Sequence, residues 1–170
     1  MTIEVEAVTF DDAFDIANFS QKSFYESFAD QNSKENMDKF MENFSMDVLM
    51  TEVTSGLHTF FVARKDGEIA GYIKLTSLKD PEEGVADNSI ELARIYVDQQ
   101  VLGHGIGGLL MEKGLEFAKD KNFEEIWLGV WEHNYPAQTF YKKWGFERFG
   151  EHVFMLGDDA QNDWLLKRRL

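Results

Sequence analysis

The 170-residue chain contains no cysteine. Disulfides, thiolate metal sites and a cysteine nucleophile are therefore excluded. Basic side chains are scarce: 17 Lys and Arg stand against 31 Asp and Glu, a net charge of −14. Nucleic-acid binding needs a basic footprint, so no such partner is expected. The same charge draws cationic ligands through its long-range field, or serves solubility alone. The four histidines, His58, His104, His133 and His152, lack HExxH-type spacing, so no metal is expected. No apolar run is long enough to span a membrane. The acidic start MTIEVEAVTFDDAF lacks the basic and apolar regions of a signal peptide. The expectation is a cytoplasmic protein with no membrane partner.

What is there suits one domain over residues 1–170, with an aromatic core fed by 15 Phe. No internal repeat, low-complexity tract or linker interrupts it. Ile3 to Ala7 alternates as a strand does. Thr9 and Asp12 offer a capping box to a helix carrying Phe14, Ala17, Phe24 and Phe28 on one face. NSKENMDKFMENF opens a second helix, with Met37, Phe40, Met41 and Phe44 as a core stripe. Two β-rich runs flank Asp66-Gly67, a strong hairpin signal. An acidic loop, KDPEEGVADN, leads to the strand SIELARIYV, a glycine loop and a helix with Ile106, Leu110 and Phe117 facing inward. EEIWLGVW is a further strand. NYPAQTFYKKWG is a short helix: Asn134 caps it, Pro136 suits its first turn and Gly145 closes it. Phe146 to Leu156 and Asp163 to Arg169 read as final strands. The order is βααβββαβαββ.

The stretch VLGHGIGGLLMEKG places Gly103, Gly105, Gly107 and Gly108 directly before a helix. Glycine inside an element costs roughly 0.5–1 kcal/mol against alanine, so four together mark tight bending or close approach of a ligand. Amides at a helix N-terminus make an anion cradle. Gly103, Gly105 and Gly108 formally match a dinucleotide fingerprint. That fold needs alternating βαβ units, and here a hairpin precedes the loop. A Walker A loop fails, because no Gly-Lys-Ser/Thr occurs. The pyrophosphate of a coenzyme fits the context.

Farther on, AQTFYKKWGF, Ala137 to Phe146, follows Asn134. Together with the glycine loop this resembles the GNAT superfamily of acyl-CoA N-acyltransferases, with its Q/R-x-x-G-x-G/A, later Asn and A-x-x-F-Y-x-x-x-G-F. The resemblance is close from Ile90 onward. ELARIYV, IWLGVWEHN and the C-terminal stretch are similar to bacterial spermidine/spermine acetyltransferases of the PaiA type. It implies an α/β fold with a mixed, largely antiparallel central sheet flanked by helices. It gives the acetyl-CoA pyrophosphate to Leu102, Gly103, His104, Gly105, Ile106 and Gly107, with Gly108 at the helix start. Two registers fit. With Gly105-Ile106-Gly107 as G-x-G, Leu102 occupies the Gln/Arg place; with Gly103 and Gly105, Gln100 restores it. Leu110 and Met111 favour the first.

The resemblance also leaves a splayed strand pair beside Arg94, Ile95, Tyr96 and Val97, whose backbone meets the thioester and pantetheine. It gives Asn134 and Ala137 to the cofactor, although capping alone explains Asn134. Tyr141 takes the general-acid place: a phenol of pKa near 10 has the proton affinity to serve a departing thiolate. The attacking amine must lose a proton, and Glu91 is a candidate base, or else a solvated strand residue. Without cysteine, direct transfer is the simplest route. The acceptor site is least readable. Tyr25, Glu26 and Asp30 are candidates on the first helix, and Trp127 and Trp131 share one strand face. The implied function is acetyl transfer from acetyl-CoA to a primary amine, a polyamine first. Other amines (a protein N-terminus, an aminoglycoside) and a non-catalytic acyl-CoA sensor are the alternatives. The final strands suggest a possible homodimer, by analogy.

Overall fold

The structure, a computed structural model, describes residues 2–78 and 80–170. Its strands are β1 (Ile3–Ala7), β2 (Thr59–Lys65), β3 (Glu68–Thr76), β4 (Ser89–Val97), β5 (Glu125–Trp131), β6 (Glu147–Leu156) and β7 (Asp159–Arg169). Its helices are α1 (Ala13–Phe28), α2 (Lys34–Met41), α3 (Met46–Thr54), α4 (Ile106–Asp120) and α5 (Tyr135–Lys143). The strands form one sheet in the order β1-β2-β3-β4-β5-β7-β6. Every pairing is antiparallel except β4 with β5. The largely antiparallel sheet expected from the sequence is what forms.

Period-two alternation gives the sheet two apolar faces. On one, Ile73, Leu75, Ile90, Leu92, Ile126 and Leu128 pack with the Ile106, Leu110, Met111 and Leu115 stripe of α4, and Tyr141 of α5 joins them. On the other, Phe60, Val62 and Tyr72 receive Ile16 of α1. A separate aromatic cluster there gathers Phe24, Phe28, Phe40 and Phe44 with Tyr96. Phe24 stacks on Phe40 and Phe44, with ring centroids 4.6 and 4.5 Å apart. Asp66 and Gly67 turn the β2–β3 hairpin with φ of 52° and 87°, the paired positive values that a two-residue hairpin turn needs.

Two expectations need correction. Phe14 is 59% exposed; the buried stripe of α1 is Ala13, Ile16, Ala17, Ser20 and Phe24, one position out of phase with it. The second helix also does not stand alone. It ends in a turn, and Ser45 (φ −62°, ψ 156°) breaks the path and caps a third helix, α3, by accepting from Val48 N–H.

Candidate active site

β4 and β5 pair only at Ser89–Glu125, Ile90–Ile126 and Glu91–Trp127. Beyond Glu91 both strands continue but no longer meet. Part of the cause is local. The β3–β4 register shifts between Lys74–Arg94 and Leu75–Leu92, so Ala93 is an extra residue in β4. Such a bulge bends its strand and increases its twist. The edge of β4 from Leu92 to Val97 thus borders a cleft where a ligand's amides can complete the ladder.

The glycine loop leaves β4 at the open end of that cleft. Gly103 and Gly105 hold φ of 88° and 76°, where a side chain is disfavoured. Gly105 is the N-cap of α4, in left-handed conformation. Its successors Ile106, Gly107 and Gly108 open the helix, where the first N–H groups have no intrahelical acceptor. Gly107 and Gly108 are under no such constraint: a Cβ on each would lie 3.5 Å from Phe140 and Trp144, in ordinary contact. The positive-φ pair is therefore Gly103 and Gly105. Leu102 and His104 are exposed on the loop.

Tyr141 lies on α5 and joins the core on the α4 side of the sheet. Asn134 caps α5, accepting from Ala137 N–H at 3.3 Å, and Gly145 closes it at φ 85°. Tyr141 is 8% exposed and packs between Phe140 and Phe146. Burial pushes its phenol well above the ordinary value. Tyr96, on β4, packs with the clusters of the opposite face, where burial pushes its phenol up.

Glu91 lies where β4 and β5 part, on the face opposite Ile90 and Leu92, which both enter the α4 core. Trp127 and Trp131 share that face. Trp127 is buried, whereas Trp131 borders Phe28 at 6.2 Å and keeps a buried indole N–H without a partner among the described residues. Tyr25, Glu26 and Asp30 are exposed, and it is Phe24 and Phe28 that α1 turns inward. A cavity of about 1380 Å³ beside Glu124, Trp144 and Leu170 sits at the other end of β5 and holds none of these groups.

The sequence reading missed a charged cluster under α3. Glu52 meets Arg94 at 2.8 and 2.9 Å and Lys74 at 3.2 Å. Burial opposes ionisation of Glu52, but Arg94 and Lys74 outweigh it and hold the carboxyl below its ordinary value. Nearby, Ser20 donates to Tyr72 Oη at 2.6 Å, and His58 Nδ1 meets Thr76 Oγ1 at 3.0 Å. Burial and the Lys74 charge keep His58 below its ordinary value. The signal that was legible is the apolar spacing of β4: Ile90, Leu92, Ile95 and Val97 skip an extra residue after Leu92, which marks the bulge.

Among the described residues no helix is long and apolar enough to cross a membrane. The sequence model of the acetyltransferase (GNAT) family matches residues 16–146. An uncharacterised N-acetyltransferase from the pepI 3′ region of Lactobacillus delbrueckii subsp. lactis is 38% identical over 169 residues, 99% of this chain and 98% of its own. PaiA N-acetyltransferase from Thermoplasma acidophilum, solved in complex with coenzyme A, has a TM-score of 0.79 over 100% of both chains at 23% identity. Ribosomal-protein-alanine N-acetyltransferase from Brucella melitensis has a TM-score of 0.71 at 21% identity, covering 98% of this chain and 99% of its own. At these identities the two solved structures share the fold.

Proposed function

This chain belongs to the acetyltransferase (GNAT) family and is an acetyl-CoA-dependent N-acetyltransferase, and on that premise we propose that its acceptor is a polyamine such as spermidine or spermine. The observation that carries the site assignment is the parting of β4 and β5 at Glu91, with the glycine loop at its open end. Amides from Gly103 to Gly108 hold the pyrophosphate. The β4 edge at Ile95, Tyr96 and Val97 and the Asn134–Ala137 turn hold the pantetheine. The reaction proceeds in the cytoplasm.

Each residue then has a step. Glu91, directly or through a water, takes the proton that leaves the ammonium. The freed lone pair attacks the thioester carbonyl, and the charge gathering on its oxygen is met by β4 amides. The carbon–sulfur bond breaks, Tyr141 gives its proton to the departing thiolate, and the second proton shed by the nitrogen as it becomes an amide restores the phenol through water. A phenol raised by burial still suits that task, because a thiolate in the same dry cleft is penalised by the same desolvation.

Two features support a polycation. The net charge of −14 concentrates it near the protein, and the ring faces at Phe28 and Trp131 favour ammonium groups. One observation favours a second reading, a peptide N-terminus: the unpartnered Trp131 N–H suits a carbonyl, which a polyamine lacks. Salt separates the two. Surface fields are largely screened beyond about 10 Å at 0.1 M salt. The kcat/KM for spermidine should fall steeply between low and physiological ionic strength, with little change for a simple monoamine. Saturation by a peptide N-terminus, with no rate on spermidine or spermine, overturns the polyamine assignment and leaves the transferase.

A further inference from the structure

Three charged side chains lie largely out of water between the sheet and α3. Lys74 and Arg94 are cross-strand partners, so two cations stand side by side on β3 and β4. Glu52 answers both, gripping Arg94 with its two oxygens and Lys74 with one. Arg94 also lies over the Phe44 ring at 5.1 Å. Replacing a buried ion pair with apolar groups is often neutral or stabilising. Fold stability is therefore a poor reason for these residues to be here.

The cluster sits at the β4 bulge. Because Ala93 is extra, Glu91 and Arg94 share a face although three positions separate them. Glu91 stands at the last β4–β5 pair, and Ile95 to Val97 follow Arg94 along the cleft. Arg94 thus lies between the proposed base and the amides proposed to meet the thioester. We propose that Glu52 is a positioning residue for acetyl transfer: by gripping the Arg94 guanidinium it fixes the bulge, and with it the spacing from Glu91 to the amides of Ile95–Val97. The inference rests on the roles given above to Glu91 and to those amides.

The test uses Arg94→Lys and Glu52→Gln. Lysine keeps the charge and loses the planar two-pronged grip. Both variants should fold, by far-UV circular dichroism and a cooperative melt. Both should bind acetyl-CoA within about threefold of the parent, because the pyrophosphate loop lies beyond Val97. Their kcat should fall about 10- to 100-fold, the scale of a 1 Å misplacement. The double variant should be no slower than the slower single, since both break one contact. A purely structural role lowers the melting temperature and leaves kcat intact well below it, so parental kcat within twofold in both variants overturns the proposal. Should Glu52→Gln not fold, Arg94→Lys decides alone. Glu91→Gln separates the two failures. If it keeps parental kcat, the base assignment falls and this proposal with it. If it is slow while Arg94→Lys and Glu52→Gln are fast, only the positioning role falls.

Discussion

Removing one oxygen atom from Tyr141 isolates the acid step. Tyr141→Phe keeps the ring between Phe140 and Phe146, at centroid distances of 5.5 and 5.8 Å. Among the described residues the hydroxyl makes no hydrogen bond that its loss would break. Fold stability should therefore change by less than about 1 kcal/mol, or roughly 2–4 °C in melting temperature for a domain of this size. The catalytic cost is larger. A positioned general acid contributes about 10²-fold or more, and about 10²-fold is roughly 2.7 kcal/mol of barrier. Thiol release from acetyl-CoA under saturating amine should fall by about that factor, while calorimetry gives an acetyl-CoA affinity within about threefold of the parent. The pH profile adds a check. Because burial raises the phenol, its loss of the proton should not limit the parent rate at or below pH 10. A Tyr141→Phe enzyme with kcat within threefold of the parent refutes the acid role and returns Tyr141 to the core. A melting temperature lowered by much more than 4 °C refutes the packing argument.

Gly105 holds φ of 76°, so Gly105→Val puts a β-branched residue where it is strongly disfavoured; calorimetry should show acetyl-CoA binding abolished, and parental affinity would remove the cradle. Stability should also turn on pH at both ends. Asp12 and Glu52 are held below their ordinary 3.8 and 4.5, so their contribution is complete above those values and lost as pH falls through the lower folded ones. Tyr72, Tyr96 and Tyr141 are raised by burial, so their contribution is complete below pH 10 and lost as pH rises beyond it. Lys74, lowered by burial, has the opposite slope on the approach to 10.5, and three phenols outweigh it. Urea melts from pH 3 to 12 should show both shoulders, and a flat profile above pH 10 would contradict the burial of the phenols.

Much of this fold was legible because its strongest signals are local. Asp66-Gly67 names its own hairpin, and Asn134, Pro136 and Gly145 bracket α5 as their backbone chemistry requires. The glycine loop signals tight bending before a helix for the same reason, although composition could not say which glycines need positive φ. Gly107 and Gly108 have room for a Cβ, at 3.5 Å from Phe140 and Trp144, so only Gly103 and Gly105 are fixed as glycine by their backbone. The helix α3 was missed: its stretch mixes Val and Thr among Met and Leu, and its start depends on a single cap at Ser45. Without α3, Glu52 had no place, and the Arg94–Glu52 pair spans 42 positions that no local pattern links. The acceptor side suffered most. Tyr25, Glu26 and Asp30 look suitable by type and lie exposed, while the phase of α1 sends Phe24 and Phe28 inward.

The central claim is acetyl transfer from acetyl-CoA to an amine in the cleft between β4 and β5. A thiol-release assay with acetyl-CoA and a panel of amines tests it most directly, with the product identified by mass. Release should depend on the amine, spermidine and spermine should outperform monoamines, and each turnover should leave one N-acetylated amine. No amine-dependent release across polyamines, peptide N-termini and aminoglycosides, alongside intact acetyl-CoA binding, would contradict the transferase and leave a coenzyme-binding sensor.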